Sequence, residues 1–90
     1  MELSEIRTKL DTLDRELLAL FVQRMELSGE VARCKAQHHL PVRDPQREQE
    51  ILDLVRCEAG VYGEDAVLLY ETLFSLSRRR QERLLQEEPR

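Results

Sequence analysis

An all-α fold is predicted by three observations. Apolar residues recur at helical steps of three and four along the first third of the chain. Pro41, Pro45, Gly60 and Gly63 divide the sequence into one very long and two shorter segments. The composition is 41% hydrophobic and 36% charged, with only 4% aromatic residues and no Trp, which suits solvent-facing helices rather than a sandwich or barrel. Ninety residues leave room for one domain, and the dense Leu periodicity argues against disorder.

The first helix follows the stripe Leu3, Ile6, Leu10, Leu13, Leu17, Leu20, Leu27 and Val31. Ser4 is the expected N-cap. Pro41 disfavours helical geometry at Leu40, so the helix is expected over about residues 3–38, with Gly29 as its one weak point. At about 1.5 Å per residue such a rod nears 50 Å, whereas a compact chain of this size has a radius of gyration of about 12 Å. A single protomer therefore leaves the rod uncovered, and a dimer with paired long helices is expected.

Asp44 as N-cap and Pro45 at the first helical position open a second helix over about 45–59, which Gly60 ends in a left-handed turn. Ile51, Leu54 and Val55 mark its core side. The third helix, over about 64–86, starts near Gly63, Glu64 and Asp65 and continues through Val67, Tyr70, Leu73 and Phe74 to Leu84 and Leu85. Its tail from Gln86 to Arg90 is expected to fray.

Fourteen Lys and Arg against eighteen Asp and Glu give a net charge of −4, so no global positive field draws the chain to nucleic acid or anionic lipid. No apolar run is long enough to span a bilayer, and no signal-peptide pattern opens the chain. Cys34 and Cys57 lack CxxC spacing, which together with the lack of that pattern points to a reducing, cytoplasmic setting. His38 and His39 have no further ligand at metal spacing, so zinc is not expected. Glycine-rich phosphate loops and nucleophile elbows are absent as well.

What stands out are polar residues on apolar stripes. Arg24 and Lys35 interrupt the first helix's stripe eleven residues apart, so both point the same way about 16 Å apart, where they either converge on a small anion or reach solvent and acidic partners. Ser77 and Gln81 do the same on the third helix, spaced i, i+4, as a buried hydrogen-bonding pair or as part of a site. Asp44, Arg47 and Glu48 crowd the first turn of the second helix. Asp44 suits a cap and Glu48 the helix dipole, but Arg47 opposes that dipole and calls for an acidic partner or a bound anion. Arg78, Arg79 and Arg80 read as a solvated face balanced by Glu82, Glu87 and Glu88. Such a set suits a small substrate bearing carboxylates.

Taken in order, Ile6-Arg7, Leu13-Asp14, Leu17 to Leu20, Arg24, Val31, Lys35, Pro41-Val42-Arg43-Asp44, Arg47-Glu48, and Ser77 followed by Gln81 resemble the all-α chorismate mutase family, the AroQ class. The resemblance covers nearly the whole chain. Each piece alone is weak, and the specificity lies in the combination. It implies a free-standing, intertwined, domain-swapped homodimer of three-helix protomers that rearranges chorismate to prephenate for phenylalanine and tyrosine synthesis, without cofactor or metal. It also implies roles: Arg24 and Arg7 of the partner subunit on the substrate carboxylates, and Lys35 and Gln81 on the ether oxygen. Asp44 and Glu48 would address the ring hydroxyl, with Arg47 and Ser77 completing the pocket. Arg7 lies about 26 Å along the helix from Arg24, beyond side-chain reach within one protomer. On the third helix, counting from Tyr70 assigns the polar positions to Ser77 and Gln81, and counting from Phe74 to Gln81 and Leu85; the first keeps the Ser-to-Gln spacing. Isochorismate pyruvate lyase activity on the same fold, and a non-catalytic helical dimerisation or regulatory module, are the alternatives. A polar Ser77 favours the mutase over the lyase, and the full polar set disfavours a module that only binds.

Overall fold

The computed structural model describes residues 1–87, and these form three α-helices with no strand among them. α1 spans Leu3–Gln37, α2 spans Pro45–Glu58, and α3 spans Gly63–Glu87, with a 3₁₀ turn at Gly60–Tyr62 between the last two. The protomer is elongated, 55 × 26 × 14 Å, with a radius of gyration of 16.4 Å. That exceeds the roughly 12 Å of a compact chain of this length because nearly half of α1 extends beyond the other helices.

α1 runs 35 residues because no proline interrupts it and Gly29 sits where it packs. Its start differs from expectation. Glu2, not Ser4, is the N-cap, and it offers no side-chain hydrogen bond. Ser4 is already inside the first turn, where its carbonyl accepts from the Thr8 hydroxyl at 3.0 Å. A fully exposed helix end has its free N–H groups solvated, so a side-chain cap is not required there. At the other end His39 takes a left-handed φ of 55°, and two bonds close the helix: His39 N–H to Ala36 O at 3.3 Å and Leu40 N–H to Lys35 O at 2.8 Å. This is a Schellman ending with His in the place glycine usually fills. It turns the chain toward α2 directly after Lys35.

Asp44 caps α2, its Oδ1 accepting from Arg47 N–H at 3.2 Å, with Pro45 in the first turn. Gly60 has a φ of 59° and lets the chain reverse. Gly63 serves a different need. A Cβ placed there would sit 2.5 Å from the Arg56 carbonyl oxygen, so α3 starts against the backbone of α2 at a distance only glycine permits. Gly63→Ala is expected to destabilise the fold by about 1–3 kcal/mol, since backbone rather than a flexible side chain must shift. Thermal denaturation checks this as a fall in Tm of at least several degrees.

α3 packs on both α1 and α2, which do not pack on each other. Where α1 meets α3 it presents Ser28, Gly29 and Ala32, all buried and all small, which brings the axes close. Val67, Phe74 and Leu84 of α3 complete a thin core with Ala32. Leu54, expected on the core side of α2, is 54% exposed, because the inner face of α2 meets α3 through Ile51 and Val55, both only part-exposed. Gln86 and Glu87 continue α3 as regular helix; the remainder of the tail expected to fray, residues 88–90, lies outside the described residues.

The first half of α1 stands without cover. Leu3, Ile6, Leu10, Leu13, Leu17 and Leu20 form one stripe, and each is 40–61% exposed. Leaving a continuous row of leucines in water forgoes about 25 cal/mol for each Å² that burial would remove. No described helix is long and apolar enough to cross a membrane.

Candidate functional site

Because α1 and α2 stand apart on α3, the protomer holds an open cleft of about 240 Å³ between them. α1 contributes Arg24, Leu27, Ser28, Val31 and Lys35; the α1–α2 connection contributes Val42; α2 contributes Asp44, Arg47, Glu48 and Ile51; and α3 supplies Phe74, Ser77 and Gln81. Of the eight residues singled out from sequence, seven therefore line one cavity: Arg24, Lys35, Asp44, Arg47, Glu48, Ser77 and Gln81. The eighth, Arg7, does not; it lies in the exposed N-terminal part of α1, about 26 Å of helical rise from Arg24.

Arg24 is held from three sides. Its Nη1 donates to Ser77 Oγ at 2.8 Å, and its guanidinium carbon lies 5.8 Å from the Tyr70 ring centroid and 5.7 Å from that of Phe74. The two rings meet edge-on at 73°, forming a corner in which the cation sits. Ser28 adds a further link, its hydroxyl 3.1 Å from Ser77 Oγ and 3.0 Å from the Arg24 carbonyl oxygen. A guanidinium has five N–H donors, so one bond to serine leaves most of the fork available to a carboxylate. Sequence reasoning did not single out Ser28. The signal was present, because Ser28 follows Arg24 by four residues on the same face.

Lys35 Nζ donates to the Val42 carbonyl oxygen at 2.7 Å, which ties the ammonium to the chain segment entering α2. Two of its three donors remain for the cleft. Arg47 is largely exposed and has a loose acidic partner in Glu50, 3.8 Å away. The expected partner for this cation is thus one turn further along its own helix, while the side chain still borders the cleft. Glu48 is ion-paired across the helices with Arg78. Arg78 therefore does not belong to a solvated face: next to the buried Ser77, its side chain reaches Glu48 of α2.

Gln81 is 7% exposed, and its Oε1 is buried with no hydrogen-bond partner. A buried amide with a free terminus carries hydrogen-bonding capacity that a ligand is suited to satisfy. The unpartnered Oε1 accepts, so it suits a ligand N–H or O–H, while the donors to anionic and ether-type oxygens are the cations, the Ser77 hydroxyl and the N–H groups of the Gln81 amide. Among the described residues no group of His, Cys, Asp and Glu is arranged to hold a metal ion, and Cys34 and Cys57 are free and exposed.

The chorismate mutase type II family matches residues 6–82, which takes in α1 from Ile6, α2, and α3 past Gln81. The chain is 33% identical over 89 residues to a chorismate mutase of Methanocaldococcus jannaschii, covering 96% of this chain and 90% of that one. It is 42% identical over 71 residues to the T-protein of Haemophilus influenzae, covering 79% of this chain but only 19% of that protein. A bifunctional chorismate mutase/prephenate dehydratase of Escherichia coli K12 is 46% identical over 48 residues, 53% of this chain and 12% of its own length. The present chain thus spans a fifth or less of two of these relatives and nearly all of the third. With three helices, a polar cleft at their junction, and a family match over most of its length, the chain belongs to the chorismate mutase type II family.

Proposed function

We propose that this chain catalyses the [3,3] rearrangement of chorismate to prephenate, and that it does so as an intertwined, domain-swapped homodimer. The observation that carries the reading is the gathering of Arg24, Lys35, Arg47, Ser77 and Gln81 around one cleft. Chorismate has two carboxylates and an ether bridge, and the cleft offers a cation or an amide for each.

The reaction is intramolecular and needs no nucleophile. The pocket's work is to hold the enolpyruvyl arm over the ring and to stabilise negative charge as the C–O bond lengthens and the new C–C bond forms. Arg24, preset by Ser77 and the Tyr70–Phe74 corner, binds one carboxylate through its fork. Lys35 and the Gln81 amide donate to the ether oxygen, where charge develops, so their stabilisation is greatest in the transition state. Asp44 and Glu48 address the ring hydroxyl, and Arg47 and Ser77 close the remaining sides.

Arg7 enters from the other protomer. The exposed stripe from Leu3 to Leu20 calls for an apolar cover, and a second α1 running antiparallel supplies it while carrying the partner's Arg7 to the far end of the cleft. The test is to follow chorismate loss while the protein is diluted through the range where the dimer dissociates. Specific activity is expected to fall in step with the dimer; activity that persists undiminished in a monomer contradicts the two-protomer site.

A further inference from the structure

Arg78 is not among the cleft-lining residues, yet it grips one that is. Its Nη1 is ion-paired with Glu48 Oε2 across the gap between α3 and α2. The two side chains are 26% and 21% exposed, which makes this the least exposed ion pair among the described residues; the Arg47–Glu50 pair stands at 66% and 58%, and Arg56–Glu64 at 45% and 82%. Pairs as exposed as those two are worth little, whereas a shielded, charge-assisted bond fixes geometry.

The position of the pair matters more than its strength. Consecutive residues of α3 serve opposite walls of the cleft: Ser77 accepts from Arg24 of α1, and Arg78 holds Glu48 of α2. Arg78 engages Glu48 through Oε2, which leaves Oε1 without a bond to Arg78, and Glu48 is one of the residues lining the cavity. A carboxylate accepts hydrogen bonds and donates none, so that wall suits a ligand hydroxyl and repels a ligand anion. In a site otherwise dominated by cations, such a wall decides which end of an anionic substrate lies where.

We propose that Arg78 is a positioning residue that fixes the Glu48 carboxylate at the cleft wall with one oxygen free to accept the hydroxyl of the bound substrate. The inference rests on the chorismate reading above. Because the hydroxyl lies away from the breaking bond, the loss on removing Arg78 appears chiefly in KM. Arg78→Gln is expected to raise KM for chorismate by about tenfold and to change kcat by less than about threefold, in line with one charged hydrogen bond. Arg78→Lys is expected to recover most of that loss, and in a Glu48→Gln background Arg78→Gln is expected to add little, since the carboxylate it positions is gone.

The experiment is steady-state kinetics on wild type, Arg78→Gln, Arg78→Lys, Glu48→Gln and the Arg78→Gln/Glu48→Gln double variant, with Tm measured on each. An unchanged KM in Arg78→Gln overturns the inference, as does an equal loss in the Glu48→Gln background, which a purely structural clamp between α2 and α3 predicts. If Arg78→Gln does not fold, Arg78→Lys decides: KM below that of Glu48→Gln supports positioning, and KM equal to or above it refutes it. A folded wild-type dimer without activity on chorismate overturns the functional reading itself, and this inference with it.

Discussion

Lys35→Ala is expected to lower kcat for chorismate by about 10²- to 10³-fold, the range seen when one donor to a developing oxyanion is removed. The ammonium is placed before substrate arrives, because Val42 O holds Nζ at 2.7 Å and the Schellman ending of α1 fixes the backbone just beyond. Two donors stay free, and reorganisation during the reaction is correspondingly small. Stability should hardly move. Lys35 is only half-buried, is not among the buried core residues Ala32, Val67, Phe74 and Leu84, and makes one hydrogen bond, to the part-exposed Val42. The pair of measurements is kcat and Tm on the purified variant. A folded dimer with near-wild-type turnover removes Lys35 from the chemistry.

The second large effect concerns two arginines that the proposed dimer brings together from different protomers. Arg7→Ala and Arg24→Ala are each expected to lose more than about a hundredfold in kcat/KM, because in the proposed site each removes a bidentate carboxylate contact that the substrate cannot replace. Unfolding the two variants together and refolding them as a mixture should restore activity. Half of the dimers then carry one of each chain, and in a shared site one of their two clefts has both arginines intact. Recovery of about a quarter of wild-type activity is therefore expected on statistical grounds. If Arg7 acted within its own protomer, every cleft would keep a lesion and mixing would restore nothing.

Local chemistry made much of the fold legible. Asp44 followed by Pro45 defines the start of α2 within two residues, and Gly60 takes the positive φ that ends its turn, because caps and left-handed corners are set by neighbouring atoms. The length of α1 was legible for a similar reason, with no proline before Pro41. Ser4 misled because an exposed helix end is solvated whether or not a good capping residue stands nearby. Leu54 misled because periodicity gives a face without saying how much of it another helix covers.

For the cleft, stripe position was the useful signal. Arg24, Lys35, Ser77 and Gln81 occupy places where helical periodicity calls for apolar residues, and a polar side chain there has to face something. Glu48 was visible only as a first-turn acid, and its tie to Arg78 was not visible at all. That pair joins residues 30 apart on different helices, and no local pattern distinguishes Arg78 from Arg79 beside it. The corner that Tyr70 and Phe74 build around Arg24 was hidden for the same reason, since both aromatics fit the apolar stripe equally well as plain core.

Identifying the product tests the central claim most directly. Purified wild-type protein incubated with chorismate and followed by NMR is expected to convert it to prephenate with no other product and no added metal or cofactor. Chorismate left unchanged by a folded dimer, or a product other than prephenate, would contradict the account.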